Sequence, residues 1–281
     1  MHRRKPLPYP VIPSDLIKKL FAGTFLREEE ELQLNPPPKG FDRKTFIILL
    51  WTALGLSIIK YYGNPDFFAE VLKNWRLNSL SEKLKCWSEE GNVSLRHLGW
   101  WVGTMLFVYL LVPMLLIKLL FKENLSDYGW QMKNAFKDWW LYALMLAVML
   151  PLVIYFSSTS SFQARYPFYS PQYDKSLYPD FFLWELMYFA QFIGLEFFFR
   201  GFMTLGLRKR FGFYSIFIMT VPYCMIHFGK PMPETIGAIG AGLVLGTLAM
   251  KSRSIFMGVL IHYSIAIAMD VCALWRKGYF H

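Results

Sequence analysis

The amino-acid sequence predicts an all-α fold, a polytopic transmembrane helical bundle of about seven or eight helices, and three observations favour it. Hydrophobic residues make up 54% of the 281 residues and aromatic residues 19%. A soluble domain is typically about 45–50% apolar and much poorer in aromatics. Several apolar segments approach the roughly 20 residues that a helix needs to cross a bilayer. Tryptophan and tyrosine residues gather near the ends of these segments, as in the aromatic belts of membrane proteins.

The basic charge of the chain fits a membrane protein better than a nucleic-acid-binding one. The net charge is +10 and the pI is about 9.4. In a soluble protein such values would suggest nucleic acid as a partner. Here the basic residues lie in short connectors beside apolar segments, which indicates topology-setting charge facing anionic lipid. We therefore expect the lipid bilayer as a partner and no nucleic acid.

The N-terminal part of the chain is polar, unlike the apolar segments after it. Residues 1–44 form an arm with many prolines, and its basic start lacks the apolar core of a cleavable signal peptide. Ser14 to Leu34 favours a short amphipathic helix on the membrane surface, with a mostly flexible arm as the alternative. Residues 45–119 then form an N-terminal transmembrane region with a polar connector, and residues 276–281 form a tail.

The first three predicted spans lie at Thr45–Tyr62, Gly99–Phe121 and Trp139–Phe156. Each is an apolar run bounded by charged or polar residues, and the second and third each contain one proline, which can kink a membrane helix. In the connector after the first span, Phe67 to Trp75 has the apolar spacing of a small amphipathic helix.

The remaining four predicted spans are separated by short connectors. They lie at Phe181–Leu207, Gly212–His227, Thr235–Met250 and Ile255–Trp275. In the sixth span Gly242 and Gly246 form a GxxxG pattern, which lets helix backbones approach closely.

Basic turns give the predicted orientation. The turns at Lys122–Lys137, Arg208–Arg210 and Lys251–Arg253 fall on one side, together with Arg43 and Lys44. The excess of positive charge in cytoplasmic loops places this side inside the cell. Arg276 and Lys277, which follow the last span, would then lie outside the cell, contrary to the excess of positive charge expected in cytoplasmic loops.

Three ionisable residues stand inside the apolar fourth span. Glu196 and Arg200 are four apart and share one helix face, so that they can form an ion pair. Glu185 lies eleven residues earlier, about 16 Å away on the same face. A charge in hydrocarbon costs at least a few kcal/mol, so such residues indicate a functional site. A purely structural ion pair is the alternative for Glu196 and Arg200.

Two histidines in later segments favour a shared site. His262 lies near the middle of the last span, where a buried polar side chain needs a partner. His227 ends the fifth span and could instead bind a turn carbonyl. Glu234 could cap the sixth span or reach the site, and Asp270 could support the site or pair with Arg276. Glu185 could bind substrate or pair with a loop cation.

These residue types suit amide hydrolysis. Glu196 could take a proton from water, one histidine could orient that water, and the other could donate to the developing oxyanion. The same glutamate and two histidines could bind Zn²⁺, but no HExxH pattern occurs and three separate helices would supply the ligands. We therefore expect no cofactor and no metal, with zinc as the less favoured alternative.

The motifs resemble those of a known family. Glu196-Phe-Phe-Phe-Arg200, then Tyr223-Cys-Met-Ile-His227, then His262 resemble EExxxR, FxxxH and HxxxN/D of the CPBP family. These are CAAX prenyl protease type II-like, or Abi, intramembrane endopeptidases. The segment NLSDYG, residues 124–129, also resembles a loop that often precedes the family core. The resemblance covers roughly residues 120–275, the predicted core.

Matching position by position carries over Glu196 and Arg200 from the first motif, His227 from the second and His262 from the third. We therefore expect Glu196, His227 and His262 as catalytic residues and Arg200 as a supporting one, with Glu185, Glu234 and Asp270 added as supporting residues from their positions in the sequence. Three departures stand out. Leu195 replaces the first glutamate of the pair, which the family uses as catalytic base. Tyr223 replaces the phenylalanine, and Ala266 replaces the final asparagine or aspartate.

The resemblance implies a glutamic-type or metal-assisted endopeptidase that hydrolyses a peptide bond in a membrane-associated or lipidated peptide. Because Leu195 removes the usual base, either Glu196 could serve as base or Glu185 or Glu234 could replace the lost carboxylate. A catalytically inactive relative that serves as a membrane binding or maturation partner is the alternative. Short loops and the lack of targeting signals predict a multi-pass protein of a bacterial plasma (inner) membrane.

Overall fold

The computed structural model describes residues 21–37, 39–85, 94–169 and 177–280. All regular secondary structure in these ranges is helical, as the sequence predicts. In chain order the α-helices are α1 Gly23–Leu34, α2 Arg43–Tyr62, α3 Pro65–Asn74, α4 Asn78–Lys85, α5 Leu95–Phe121, α6 Trp139–Phe156, α7 Ser160–Gln163, α8 Asp180–Phe211, α9 Tyr214–Met225, α10 Met232–Ser252 and α11 Phe256–Arg276.

Within the described ranges, six of these helices are long and apolar enough to cross a membrane. They are α2, α5, α6, α8, α10 and α11. Each matches one of the predicted spans to within a few residues, so the polytopic helical bundle is confirmed. The predicted fifth span is the exception, because α9 has only 12 residues. At 1.5 Å per residue it is about 18 Å long, well short of a roughly 30 Å hydrocarbon core.

Helix α8 is the most buried of the six and forms the centre of the bundle. It packs against α5, α9, α10 and α11. Phe197, Phe198, Phe199 and Phe202 on this helix are fully buried and belong to the main apolar cluster. From Phe197 to Leu205 the helix has the wider π-helical winding, a feature that often accompanies functional sites.

The GxxxG pattern of α10 allows α9 to pack closely against it. A Cβ added to Gly242 would lie 2.9 Å from Thr220, and one added to Gly246 would lie 2.8 Å from Ile216. A larger residue at either position would force these side chains of α9 to shift, so the predicted close approach of the two helices is confirmed. This packing places the end of α9, and the turn after it, against the start of α10.

The N-terminal helix α1 covers the basic turns at one end of the bundle. Residues 14–20 of the predicted amphipathic helix lie outside the described residues. Glu28 is buried and pairs with Arg253 at 2.6 Å, and Glu31 pairs with Arg208 at 2.7 Å. These ion pairs join α1 to two basic segments. Arg208 lies in the last turn of α8, where the sequence predicts a connector, and Arg253 directly follows α10.

The loop after α5 packs directly on α8. Residues Leu125–Tyr128 form a short 3₁₀ turn that ends at Gly129, whose φ is +81°. The carbonyl of Tyr128 lies against Gly201, where a Cβ would approach it to 2.5 Å. The carbonyl of Gly129 accepts the backbone N–H of Ile255, at the start of α11. The loop thus joins α8 to α11, the two helices that carry the candidate site.

Candidate active site

The centre of the site is a contact between α8 and α11. Nδ1 of His262 lies 2.6 Å from Oε1 of Glu196. Glu196 is fully buried, and the side chain of His262 is 16% exposed. Because an ionised carboxylate only accepts hydrogen bonds, we assign the Nδ1 proton to the imidazole. Two of the three predicted catalytic residues therefore touch each other.

Tyr223 occupies the other nitrogen of His262. The Tyr223 hydroxyl lies 2.9 Å from Nε2. Since Nδ1 carries the proton of the neutral ring, Nε2 accepts and the tyrosine hydroxyl donates. The result is a chain of hydrogen bonds that runs from Tyr223 on α9 through His262 to Glu196.

His227 lies on the other side of the same tyrosine. Its Nδ1–H donates to the carbonyl of Tyr223 at 2.8 Å, and the two rings are 5.0 Å apart in edge-to-face contact. The turn that holds it is fixed by Thr235, whose hydroxyl donates to the His227 carbonyl at 2.8 Å. Tyr223 therefore connects both predicted histidines.

His227 is a neutral hydrogen-bond acceptor. Burial, helped by the charge of Lys230, lowers the pKa of His227 to about 3. The ring is therefore uncharged near neutral pH. With the proton held on Nδ1 by the Tyr223 carbonyl, Nε2 keeps its lone pair and can accept a hydrogen bond from water.

The predicted ion pair of the fourth span is present and completely buried. Nη1 of Arg200 lies 3.0 Å from Oε1 of Glu196, and neither side chain is exposed. No N–H of the guanidinium points at the carboxylate closely enough for a hydrogen bond, so the contact is electrostatic. The guanidinium also lies 4.1 Å from the ring centre of Tyr223, a cation–π distance.

A glycine makes room for the carboxylate. A Cβ added to Gly258, one turn before His262, would lie 2.5 Å from Oε2 of Glu196. On the far side, Phe192 stacks on the imidazole of His262 with ring centres 5.1 Å apart. Helix α11 thus approaches α8 closely at Gly258 and fixes the histidine one turn later.

Two of the predicted supporting residues form a separate cluster. Glu185 and Asp270 lie beside each other, and Nε1 of Trp184 donates to Oδ2 of Asp270 at 3.0 Å. The expected Asp270–Arg276 pair does not form, because Arg276 points to the Ser157 hydroxyl, which lies 3.4 Å from its Nε. Among the described residues this cluster has no hydrogen bond to Glu196, His227 or His262.

Glu234 is engaged at the start of α10. Its carboxylate pairs with Lys230 at 2.6 Å and accepts the Tyr166 hydroxyl at 2.7 Å. It lies in the first turn, where a negative charge is favourable to the helix dipole. These partners hold Glu234 near the His227 turn, without a hydrogen bond to either histidine in the described ranges.

The position of the missing glutamate is apolar. Leu195 is 5% exposed and belongs to the main apolar cluster of the bundle. The candidate replacements lie elsewhere, Glu185 beside Asp270 and Glu234 beside Lys230. Glu196 is thus the carboxylate in direct contact with a histidine of the site.

The residues of the site do not fit a zinc ion. Both ring nitrogens of His262 are engaged, one by Glu196 and the other by Tyr223. In the portion of the chain that the structure describes, no three His, Cys, Asp or Glu side chains are grouped closely enough to hold a metal. A zinc site would require both hydrogen bonds of His262 to rearrange.

The Tyr223 hydroxyl is the functional group that the sequence motifs do not reveal. In the motif comparison Tyr223 is a mild change from phenylalanine. Its signal in the sequence is the hydroxyl itself, since burying a hydroxyl without a partner costs free energy. Here that partner is a predicted catalytic histidine.

Comparison with known proteins bears on one part of the chain. Residues 178–268, about one third of the chain, match the family described as type II CAAX prenyl endopeptidase Rce1-like. The match contains all three motifs and confirms the CAAX protease-like family resemblance. No curated protein and no solved structure matches the chain.

Proposed function

From the match of residues 178–268 to the CAAX-type intramembrane proteases, we propose that this multi-pass membrane protein is an intramembrane endopeptidase. It hydrolyses a peptide bond in a membrane-associated or lipidated peptide. The observation that carries the proposal is the 2.6 Å hydrogen bond between Glu196 and His262, which joins two helices inside the bundle. Water activated by Glu196, His227 and His262 is the nucleophile.

The roles of the residues follow from their burial and their hydrogen bonds. Glu196 is fully buried and already accepts from Nδ1 of His262, which favours an indirect role over direct contact with water. His262 therefore takes the water proton at Nε2, and Glu196 stabilises the imidazolium that forms, as an acid does for histidine in hydrolytic triads. Nε2 of His227 accepts the second hydrogen of the water and orients it.

The Tyr223 hydroxyl has to leave Nε2 when water binds there. It then donates to the carbonyl oxygen of the substrate, where negative charge develops. The water oxygen bonds to the carbonyl carbon, the C–N bond breaks, and His262 returns its proton to the departing amine. Arg200 holds the charge of Glu196 from the other side at 3.0 Å.

The alternative is an inactive family member that binds a membrane peptide without cutting it. Two observations favour it. Leu195 stands in the apolar core where the family has its catalytic base, and the Tyr223 hydroxyl occupies the nitrogen that a base would use. This alternative predicts binding of a membrane peptide and no cleavage under any condition.

A cleavage assay separates the two functions. Purified full-length protein in detergent is incubated with a farnesylated CAAX peptide and with a mixture of synthetic membrane peptides, and mass spectrometry identifies products. We expect cleavage by the wild type, loss of it in Glu196→Gln, and no change in Glu70→Gln, which alters an exposed carboxylate. Equal product with Glu196→Gln, or none with the wild type, contradicts the proposal.

We propose further that the protein resides in a bacterial inner membrane with its basic turns in the cytoplasm. The support is the positive charge at the C-terminal ends of α8 and α10. In a variant whose three native cysteines are replaced by serine, a cysteine introduced at Lys209, which is exposed, should then react with an impermeant maleimide only after the membrane is opened. Labelling in intact cells contradicts this orientation.

A further inference from the structure

A groove lies between α8 and α11 at some distance from the catalytic candidates. It is an open groove with a volume of about 400 Å³. Its walls are largely apolar, with Phe182 and Phe189 on α8 and Ile267 on α11. Two polar side chains, Glu185 and Tyr263, also line it. Both helices are membrane spans, so the groove can hold a membrane-embedded ligand.

Glu185 is unusual within this groove because it is buried without a basic partner. The residue is 5% exposed, its polar neighbours are Asp270 and the Tyr263 hydroxyl, and in the described part of the chain neither carboxylate oxygen has a hydrogen bond of good geometry. Asp270 lies beside it, with Oδ2 bound to Trp184 and Oδ1 also without a partner. Within the described ranges neither acid has a basic side chain within ion-pair distance, and Lys277 interacts with Asp270 only at longer range.

Two neighbouring acids in an apolar setting are strongly complementary to a cation. A carboxylate in hydrocarbon costs at least a few kcal/mol unless it is paired. A charged Lys or Arg side chain in a membrane segment carries a similar free-energy cost. Both costs are reduced when the basic group forms an ion pair with the carboxylate. The apolar walls suit the remainder of such a segment.

We propose that this groove binds a basic side chain, Lys or Arg, of a membrane-embedded peptide, with Glu185 as its partner. The inference rests on the proposed function and specifies its substrate. The groove and the candidate active site use the same two helices. Phe189 is one turn before Phe192, which stacks on His262, and Tyr263 directly follows His262 in the chain.

The spacing sets where the basic residue stands in the peptide. Glu185 is eleven residues before Glu196 on a continuous helix, which corresponds to about 16 Å. An extended peptide covers this distance in roughly five residues. The basic residue therefore lies about five residues from the scissile bond if the peptide is extended between the two sites.

A binding experiment tests the groove without relying on cleavage. The probes are a fluorescent transmembrane peptide of leucine and alanine with one lysine, and the same peptide with norleucine in its place. Both are titrated with full-length protein in phosphatidylcholine nanodiscs. We expect the wild type to prefer the lysine peptide by about tenfold in Kd. Glu185→Gln should lower this preference to less than about twofold and leave norleucine-peptide binding unchanged.

Two further variants keep the result interpretable. Glu70→Gln, on the exposed surface, should retain the full preference. Leu186→Trp fills the groove from an exposed position that tolerates a larger side chain, and should weaken binding of both peptides. Thermal unfolding of each variant checks that the fold is kept.

Equal affinity of the wild type for both peptides, or a preference that survives Glu185→Gln, overturns the groove proposal. Lipid filling the groove would give this result. The outcome is distinct from that of the cleavage assay. A preference for the lysine peptide without any cleavage supports the groove proposal and contradicts the peptidase proposal. Cleavage of both peptides at equal rates supports the peptidase proposal and contradicts the groove proposal.

Discussion

The Tyr223 hydroxyl lies 2.9 Å from Nε2 of His262, while Nδ1 of the same ring lies 2.6 Å from Glu196. Both nitrogens of the central histidine are therefore engaged, one by an acid and the other by a hydroxyl. Before Nε2 of His262 can receive a proton from water, the Tyr223 hydroxyl has to move away from it. The tyrosine is thus the group whose movement opens the site.

Tyr223→Phe tests this role. It removes one hydroxyl and keeps the ring that Arg200 and both histidines contact. Loss of the donor to the oxyanion should lower kcat by about 10²-fold with little change in KM. Steady-state cleavage of a peptide that the wild type cuts measures both constants.

Tyr109→Phe is the matched control, because Tyr109 is also fully buried and its hydroxyl has no partner in the described residues. Its kcat should equal that of the wild type. An unchanged or higher kcat in Tyr223→Phe would mean that the hydroxyl only blocks His262.

Gly258→Ala tests the close approach of α11 to Glu196. The added methyl would lie 2.5 Å from Oε2, so the carboxylate must move and its bond to His262 must lengthen. We expect a loss of about 1–3 kcal/mol in stability and at least tenfold in cleavage rate. Thermal unfolding in detergent and initial rates measure the two effects.

Gly240→Ala serves as control on α10, since no atom lies within 4 Å of its added Cβ. Alanine favours the helix by up to about 1 kcal/mol, so this variant should be as stable as the wild type or more so. If Gly258→Ala behaves in the same way, α11 does not confine the Glu196 carboxylate.

Arg200→Met tests the buried ion pair. Removing one partner leaves the Glu196 charge buried beside a single histidine, and such changes cost about 3–5 kcal/mol. Thermal unfolding in detergent should therefore show a large loss of stability. Arg96→Met, on an exposed position of α5, should change stability little.

The double variant Glu196→Gln with Arg200→Met removes both charges, so it should be more stable than Arg200→Met alone. A double variant that is less stable by the sum of both single effects would show that the pair is not coupled.

The lowered pKa of His227 predicts that the folded protein loses stability in mild acid. Burial and Lys230 lower the pKa of His227 to about 3 in the fold, whereas the unfolded side chain titrates near about 6.5. The unfolded state therefore binds the proton first as the pH falls. The stability that the neutral ring contributes is present above about pH 6.5 and is lost as the pH falls from there towards 3.

Unfolding midpoints between about pH 7 and pH 4 should accordingly fall less steeply for His227→Gln than for the wild type. Glu70→Gln, at an exposed carboxylate, should keep the wild-type slope. Identical slopes for His227→Gln and the wild type would show that the imidazole takes up its proton at the same pH in the folded and unfolded states, against a lowered pKa in the fold.

Much of the fold could be predicted because membrane helices are defined by length and apolarity. The six long spans match within a few residues, and the glycines of α10 pack as their spacing indicates. Helix α9 is shorter than predicted because apolarity alone does not set helix ends. Its backbone turns after Met225, and His227 therefore lies in a turn, outside the helix.

The site was predictable only in part. Residues four apart on a helix must be neighbours, so the Glu196–Arg200 pair follows from the sequence. The contact between Glu196 and His262 depends on how α11 is rotated against α8. The close approach of the two helices at Gly258 sets this rotation, and the sequence alone does not predict that contact. For the same reason the sequence leaves the partner of Asp270 open, and the structure places it beside Glu185 and Trp184.

The most direct test of the central claim is the rate of peptide cleavage by His262→Gln. We predict that it falls by at least about 10³-fold while peptide binding persists, because the nitrogen that receives the water proton is gone. His97→Gln, which changes a histidine on α5 outside the site, should cleave at the wild-type rate. Wild-type cleavage by His262→Gln would contradict the account.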